Sequence, residues 1–205
     1  MKVLLVNGSP HQYGCVFTSL SEIAETLQQE GVHSEIFWIG SQAIQGCTAC
    51  FQCRSGHDGC VFQDKLYVDF RNKMRESDAV IIGAPVYYAG IPGSLCALLD
   101  RMFFSAADLF RYKPAAGIVN CRRGGASAAF DRLNKYFTIL QMPVVSSQYW
   151  NSTHGMTPEE LKQDAEGLQT MRTLARNMAY MLKTMISADV PFPEKEELQS
   201  TNFIR

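Results

Sequence analysis

The sequence predicts an α/β protein in which a doubly wound parallel sheet is covered by helices on both faces. Five short apolar runs alternate with longer segments whose apolar residues recur at helical spacing. Strands that are apolar along their whole length are typical of parallel sheets buried on both sides. The chain has 205 residues, of which 46% are hydrophobic and 19% charged. That is enough apolar material for the core of one domain, and it excludes an intrinsically disordered protein.

The first half of the chain holds two predicted strands, two helices and an irregular segment. Val3–Val6 predicts the first strand, which runs into a glycine turn. Thr18–Gln29 predicts a helix with one apolar face, and Ser34–Ile39 predicts the second strand. An irregular, cysteine-rich loop follows at residues 40–63, and Leu66–Arg75 predicts a short helix.

The second half continues the alternation of strands and helices. Ala79–Gly83 predicts the third strand and Ala115–Asn120 the fourth, with helices after them at Gly93–Ala107 and Ser127–Leu140. Pro143–Tyr149 predicts the fifth strand.

A long helix closes the pattern. Thr157 is a good N-cap, Pro158 suits the first helical position, and Glu160 completes a capping box. The apolar stripe continues to Met185, and two prolines with charged residues follow it. We therefore expect one domain over residues 1–188, which includes the cysteine-rich loop 40–63, and a tail at residues 189–205.

The charge balance argues against nucleic-acid binding and against attachment to anionic lipid. Lys plus Arg number 19 and Asp plus Glu number 20, which gives a net charge of −1. No apolar run reaches the roughly 18 residues of a membrane span, and no secretory segment is recognisable. We expect a cytoplasmic protein, whose seven cysteines are then core residues, metal ligands or redox groups rather than disulfides.

The loop after the first strand is a candidate phosphate-binding loop, since ligands of such sheets bind at the carboxyl ends of the strands. Ser9, Thr18 and the N–H groups at the start of the next helix could surround a phosphate. The other candidates are His11, Cys15 through its backbone N–H, Val16 and Phe17. Neither a Walker-type lysine nor G-x-G-x-x-G occurs, so we expect one terminal phosphate. The alternative is an ordinary turn.

Two further strand-end loops could hold a flat aromatic ring. After the third strand, Tyr87 and Tyr88 could cover the ring, while backbone N–H groups across Val86–Gly90 could meet its polar edge. After the fourth strand, Arg122 and Arg123 could contact a phosphate or place positive charge near a reduced ring. The candidate residues of these two loops are Pro85, Val86, Tyr87, Tyr88, Ala89, Gly90, Arg122, Arg123 and Gly124. Each loop read alone is also compatible with a solvated turn.

Together these loops resemble the NADPH-dependent FMN reductase family of flavodoxin-like proteins. The resemblance covers Lys2 to about Tyr149, and its most specific stretch runs from Pro85-Val86-Tyr87-Tyr88 through Ile91-Pro92-Gly93 to Leu99-Asp100-Arg101. The sequence departs from the family in having His11 where Arg is common and Cys96 where Lys is common.

The resemblance implies a flavodoxin-like three-layer sandwich whose five-stranded parallel sheet has the order 2-1-3-4-5. It implies that residues 1–188 form an FMN-binding domain and that the protein is a homodimer or homotetramer. It also implies that electrons pass from NAD(P)H as co-substrate through FMN to a quinone, a flavin, a metal ion or a protein. The flavin supplies the chemistry, so we expect no catalytic residue.

Cys47, Cys50, Cys53 and Cys60 form a C-x2-C-x2-C-x6-C pattern. Such close spacing can hold a [4Fe–4S] cluster, and it is similar to that of the iron–sulfur flavoproteins. The pattern leaves two alternatives open, namely thiols without a metal and a zinc site. Because the loop follows the second strand, we expect it near the flavin rim. Cys15, Cys96 and Cys121 are expected to act as small buried hydrophobes.

Three other functions compete with that of an FMN reductase. With a [4Fe–4S] cluster beside FMN, the chain would be an electron-transfer conduit. A non-enzymatic flavodoxin-like carrier is disfavoured, since such carriers are usually strongly acidic. A regulatory protein that borrows the fold is the third. Of the four histidines, His11 is the best functional candidate, and His154, which follows the fifth strand, could line the substrate side.

Overall fold

The computed structural model describes residues 1–188, 190–194, 196–197, 199–201 and 203. Within these residues, one parallel sheet has the order β2-β1-β3-β4-β5, which confirms the predicted topology. Its strands are β1 Lys2–Asn7, β2 His33–Trp38, β3 Ala79–Pro85, β4 Ala115–Cys121 and β5 Ser152–His154. Residues 189, 195, 198, 202, 204 and 205 of the expected tail lie outside the described residues, so the tail stays a prediction.

Helices cover both faces of the sheet, as the apolar strands predict. They are α1 Cys15–Gln29, α2 Lys65–Arg75, α3 Gly93–Ser105, α4 Ala126–Ile139, α5 Pro158–Leu161 and α6 Ala165–Ser187. Strand β1 alternates between the two halves of the core: Val3 and Leu5 face α1 and α6, whereas Leu4 and Val6 face α2, α3 and α4. Among the described residues, no helix is both long enough and apolar enough to cross a membrane.

The fifth strand lies later in the chain than the sequence predicts. The predicted segment Pro143–Tyr149 pairs with β4 only at its beginning, through the bridge between Val144 and Ala115. The chain then leaves the sheet and returns at Ser152, and Asn151 fills the gap with its side chain, since its Nδ2 donates to the Gly117 carbonyl at 3.1 Å. The Asn151 side chain thus makes the hydrogen bond that a backbone N–H would make in a continuous strand. Apolar periodicity does not reveal such a replacement, so the sequence placed the strand too early.

The last predicted helix is two helices. The Thr157 hydroxyl accepts the N–H of Glu160 at 3.3 Å, as a cap should, but the Glu160 carboxylate bonds the N–H of Met156 rather than that of Thr157. Helix α5 ends at Leu161 after one turn, and Asp164 caps α6 by accepting the Gly167 N–H at 2.9 Å. The break exists because Asp164 provides a second N-cap within the apolar stripe.

Candidate functional site

The loop after β1 is fixed by two side chains that sequence reasoning did not single out. The buried Asn7 accepts the N–H of Ser9 at 3.0 Å through Oδ1 and donates to the Gln12 carbonyl at 3.0 Å through Nδ2. The Trp38 indole, at the end of β2, donates to the Ser9 carbonyl at 2.8 Å. The only sequence signal that could have pointed to a structural role for Asn7 was its position, as a polar residue directly after the apolar run Val3–Val6. These bonds hold the loop in one path at the carboxyl edge of the sheet.

The predicted phosphate-loop residues are divided between this loop and the first turn of α1. Ser9 is buried, and its hydroxyl accepts the N–H of the exposed His11 at 3.1 Å. Cys15, Val16, Phe17 and Thr18 lie inside α1 rather than in a loop, so Val16, whose side chain is buried in the core, offers only its N–H to a ligand.

The start of α1 is suited to an anion. Gly14 precedes the helix, and in the described chain no side chain caps it and no acidic residue occupies its first turn. The first N–H groups of the helix therefore point toward the loop with the positive end of the helix dipole. A phosphate monoester fits this set of donors.

The loop after β3 is a tight turn that projects a tyrosine into solvent. Tyr87 and Gly90 exchange two backbone hydrogen bonds of 2.9 Å each. Tyr88 and Ala89 between them are left-handed, with φ of 49° and 58°. Pro85 ends β3, and the Val86 N–H continues the ladder to the Asn120 carbonyl at 2.9 Å. The turn leaves Tyr88 fully exposed and Tyr87 half-exposed, as a ring-covering pair would be.

The loop after β4 packs against the loop after β3. Arg122, Arg123 and Gly124 are exposed, so the two guanidinium groups are free to meet an anionic ligand. Gly125 has φ +85°, and a Cβ there would lie 3.0 Å from Ala89 Cα, so the close approach of the two loops requires glycine.

The loop after β1 joins the same edge. The Gly8 N–H donates to the Gly83 carbonyl of β3 at 2.8 Å, and a Cβ at Gly8 would lie only 2.5 Å from the Leu95 side chain of α3. The structure therefore brings the three predicted strand-end loops together at one edge of the sheet.

The thiols at this edge are not activated. Burial raises the pKa of the Cys15 thiol and also that of the Cys121 thiol, so both stay protonated at neutral pH. Cys121 is buried, as expected, whereas Cys15 and Cys96 are half-buried. Nucleophilic thiol chemistry is therefore not favoured here.

The cysteine-rich loop is anchored at both ends by a buried arginine of α3. Arg101 is 1% exposed. Its guanidinium donates to the carbonyl of Gln45 at 3.0 Å, to the carbonyl of Phe62 at 2.5 Å and to the carboxylate of Asp64 at 2.5 Å. The Tyr67 hydroxyl adds a third anchor by accepting the Cys60 N–H at 2.9 Å. The loop is thus held from inside although most of it faces solvent.

Three of the four clustered thiols lie close enough to influence one another. Burial raises the pKa of Cys53, and the neighbouring Cys60 and Cys47 raise it further. Within the described residues, no three His, Cys, Asp or Glu side chains are arranged to hold a metal ion. Ala49 and Phe51, on either side of Cys50, are left-handed with φ of 52° and 57°, which bends the loop sharply around that thiol. Four thiols in one anchored, tightly bent loop suit an iron–sulfur cluster by the chemistry of their donors.

The loop does not lie at the rim formed by the strand-end loops, contrary to expectation. A Cβ at Gly46 would lie 3.8 Å from Ala97, and Arg54 stacks on Phe104 with its Cζ 4.5 Å from the ring centre. Phe104 is near the end of α3. It lies about 16 Å along the helix axis from the start of the helix at Gly93. The loop therefore runs down α3, away from the loop after β3. Cys47 and Cys53 there line a groove of about 1110 Å³ beside the ends of α3 and α4.

Comparison with known proteins points to flavoproteins. The family model described as NADPH-dependent FMN reductase matches residues 1–157. An iron–sulfur flavoprotein of Methanocaldococcus jannaschii is 27% identical over 193 residues, which covers 89% of this chain and 98% of the relative. An iron–sulfur flavoprotein of Archaeoglobus fulgidus is 31% identical over 176 residues, which covers 84% of this chain and 86% of the relative.

Solved structures share the fold at low sequence identity. RosB, with bound 8-demethyl-8-formylriboflavin-5′-phosphate, has a TM-score of 0.72 at 13% identity, which covers 100% of this chain and 94% of that one. FerB, an NAD(P)H:acceptor oxidoreductase of Paracoccus denitrificans, has a TM-score of 0.66 at 15% identity, which covers 89% of this chain and 97% of that one. A flavodoxin from the domain Archaea has a TM-score of 0.59 at 12% identity, which covers 89% of this chain and 99% of that one, and this likeness confirms the flavodoxin-like architecture.

Proposed function

Since the chain belongs to the NADPH-dependent FMN reductase family, we propose that it passes electrons from NADH or NADPH through bound FMN to an acceptor. The acceptor is a quinone, a flavin, a metal ion or a protein. The observation that carries the proposal is the meeting of three strand-end loops at one edge of the sheet, with an uncapped helix start beside them. FMN, when bound, supplies the ability to take up two electrons from a reduced nicotinamide and release them to an acceptor.

The loop after β1 would hold the phosphate of FMN. The N–H groups of Cys15, Val16 and Phe17 donate to the phosphate oxygens, and the dipole of α1 stabilises their charge. The N–H of Thr18 does not take part, because it donates to the Gly14 carbonyl at 3.1 Å. Ser9 and His11 fix the preceding turn through the 3.1 Å bond between them. This loop therefore sets where the cofactor is anchored.

The loops after β3 and β4 would hold the ring. Tyr87 and Tyr88 border it. The N–H groups of Tyr88 and Ala89 bind its polar edge. The other N–H groups of the predicted stretch Val86–Gly90 are already paired with backbone carbonyls and do not take part. The exposed guanidinium groups of Arg122 and Arg123 stabilise negative charge that builds up on reduction. The protein's own groups thus orient the ring and favour its reduced form, with no proton-transfer residue required for that step.

The first test is the absorption spectrum of anaerobically purified protein, followed by oxidation of NADH and of NADPH with an added acceptor. We expect two resolved flavin bands and turnover of at least one of the two nicotinamides. A carrier or regulatory protein would show the bands without turnover. A colourless protein that takes up no FMN would overturn the proposal.

Variants of Ser9 test the phosphate assignment. Ser9→Asp places a carboxylate beside the phosphate position, and we expect FMN to be lost during gel filtration because the two anions repel. Ser9→Ala removes only the bond to the His11 N–H and should keep most of the FMN. Circular dichroism shows whether Ser9→Asp is folded. Full retention of FMN by the folded variant would contradict the assignment of this loop to the FMN phosphate.

A second candidate function is an electron conduit with a [4Fe–4S] cluster, favoured by the clustered cysteines and by the names of the relatives. Cys47, Cys50, Cys53 and Cys60 would hold the cluster, which supplies one-electron exchange when bound. The loop runs along α3 away from the candidate FMN loops. This placement supports exchange across a subunit boundary in the homodimer or homotetramer that we also propose.

Iron and acid-labile sulfide measured on anaerobic protein decide this candidate. Near four irons per chain are expected for one cubane cluster. Cys50→Ser should abolish iron binding, whereas Cys96→Ser, a half-buried thiol on α3, should not. Finding zinc in place of iron, or no metal at all, would exclude the electron conduit and leave an FMN reductase without an iron–sulfur cluster.

A further inference from the structure

His154 ends β5 at the carboxyl edge of the sheet, one strand away from the candidate ring loops. It pairs in register with Cys121, the last residue of β4, and the Gly155 N–H donates to the Cys121 carbonyl at 3.2 Å. Arg122 and Arg123 follow Cys121 directly. His154 therefore lies beside the loop after β4, which is one of the two candidate ring loops.

Asp164, the N-cap of α6, holds His154. Its Oδ2 accepts the His154 N–H at 2.6 Å and lies 3.5 Å from the imidazole Nδ1. Its Oδ1 accepts the Gly167 N–H at 2.9 Å, so the carboxylate is fixed at both oxygens. A Cβ at Gly167 would collide with this carboxylate, which is why a glycine stands there. The break between α5 and α6 thus serves to place a carboxylate against the histidine.

The imidazole itself is half-exposed and opens onto a small aromatic-rimmed cavity. The cavity of about 80 Å³ is lined by His154 and Asp164 together with Tyr149 and Trp150. Those two exposed rings lie with centroids 5.2 Å apart, on the segment where the chain leaves the sheet before β5. The two rings are tilted by 50°, so each offers a face on which a flat ring can stack beside the imidazole.

We propose that His154, positioned by Asp164, is the proton donor to a quinone-type acceptor. Reduction of a quinone by NAD(P)H consumes one proton: NAD(P)H gives a hydride, which is two electrons and one proton, and the second proton of the hydroquinone must come from elsewhere. The imidazolium Nε2–H of His154 gives that proton to a quinone oxygen as the electrons arrive, and water then reprotonates the ring. Histidine suits this role because its charge changes near neutral pH. The inference rests on the proposed function and narrows its acceptor.

Charged groups of both signs lie near His154. Asp164 and Glu166 face it from α6, and Glu160 lies nearby on α5. On the other sides are the thiols of Cys121 and Cys15, whose raised pKa values keep them neutral. The cations are Lys162, which directly follows α5, and Arg122 and Arg123, which follow the strand partner Cys121, and all three are exposed to solvent. Of these groups, the Asp164 carboxylate is the one held against the imidazole, 3.5 Å from Nδ1.

The test compares two acceptors on dithionite-reduced protein in a stopped-flow instrument. Benzoquinone needs a proton, whereas ferricyanide takes one electron and no proton. We expect His154→Gln to slow oxidation by benzoquinone about 100-fold and to leave oxidation by ferricyanide and the FMN content unchanged. His33→Gln, the same change at the opposite end of the sheet, should alter neither rate. Equal loss with both acceptors, or no loss with benzoquinone, would overturn the proposal.

The role of Asp164 has its own readout, which does not depend on activity. Asp164→Asn keeps an N-cap on α6 but removes the charge. We expect the NMR resonance of the His154 backbone N–H to move upfield, because that N–H loses the charged acceptor that lies 2.6 Å away. An unmoved resonance would overturn the positioning role.

These measurements separate the two proposals. Dithionite replaces the nicotinamide, so failure to oxidise NAD(P)H would defeat the proposed function and leave the acceptor comparison intact. If the protein held no FMN, the proposed function would fail, and the NMR measurement would still decide whether Asp164 holds His154.

Discussion

Arg101 shows how one buried side chain can organise a loop that looks unstructured in the sequence. Its guanidinium is enclosed between α2 and α3 and satisfies two loop carbonyls and the Asp64 carboxylate. Asp64 is also the N-cap of α2, where it accepts the Tyr67 N–H at 3.1 Å. One residue thus links the cysteine-rich loop, the start of α2 and the body of α3.

Removing this guanidinium should destabilise the fold. Arg101→Met leaves three acceptors without their donor, and we expect a loss of about 2–3 kcal/mol in the free energy of unfolding. Arg101→Lys keeps the charge but cannot reach all three acceptors, so its loss should be smaller. Urea denaturation measures both variants. A loss in Arg101→Met no larger than that in Arg101→Lys would contradict the account.

Glu35 should make stability depend on pH in the acid range. Its hydrogen bond to Lys73, reinforced by Lys2, holds the pKa of this carboxyl below its ordinary value. The unfolded chain, whose carboxyl titrates at about 4.3, then binds protons before the folded one. The contribution is therefore present above that pH and is lost as the pH falls through the lower folded value.

Glu35→Gln tests this dependence. Since the groups are about one-third exposed, we expect the contribution to be under about 1 kcal/mol. The melting temperature of Glu35→Gln should lie below that of the native protein at neutral pH, and the two should converge as the pH falls below 4.3. Parallel curves across that range would refute the role of Glu35.

At the scale of elements, the cysteine-rich loop depends on two glycines that differ in their surroundings. Gly56 and Gly59 both have left-handed φ, at +95° and +82°. A Cβ at Gly56 meets nothing within 4 Å, whereas one at Gly59 would lie 2.7 Å from the Tyr67 hydroxyl. That hydroxyl accepts the Cys60 N–H, so the position of Cys60 depends on Gly59.

The pair therefore provides a matched experiment. Gly56→Ala should cost only backbone strain, about 1 kcal/mol. Gly59→Ala adds a steric clash and should cost roughly 2–3 kcal/mol. It should also reduce iron uptake if the four cysteines bind a cluster. Thermal unfolding and an iron assay measure these effects, and identical results for the two variants would rule out the anchoring of Cys60 by Tyr67.

At the scale of the whole molecule, the sheet gathers loops that are far apart in the chain. Parallel strands place the ends of β1, β3 and β4 at one edge, and direct contacts lock the three loops to one another. The candidate FMN site is therefore a product of the complete fold, and ligand binding there should stabilise the whole domain.

FMN and riboflavin should separate the phosphate contribution from that of the ring. We expect FMN added to the apoprotein to raise its melting temperature, with a gain of about 2.7 kcal/mol at 100 times the dissociation constant. Riboflavin at the same concentration lacks the phosphate and should give a smaller shift. Equal shifts would mean that the start of α1 does not bind the phosphate.

The sequence by itself determined the order of strands and helices and the three candidate loops. Those features depend on periodicity and turn residues over short stretches: the apolar run at Val3–Val6 is part of a strand, and Tyr87 and Tyr88 occupy the expected turn. The family resemblance at the β3 loop was carried by adjacent residues in the same way.

Only the tertiary structure decided where β5 lies, where the cysteine-rich loop goes, and that His154 meets Asp164. Each depends on a side chain that acts across the fold: the Asn151 amide replaces a strand hydrogen bond, Arg101 draws the loop along α3, and Asp164 interrupts an apolar stripe to reach β5. Such polar contacts leave no periodic trace in the sequence, because their geometry is set by elements that meet only once the chain has folded.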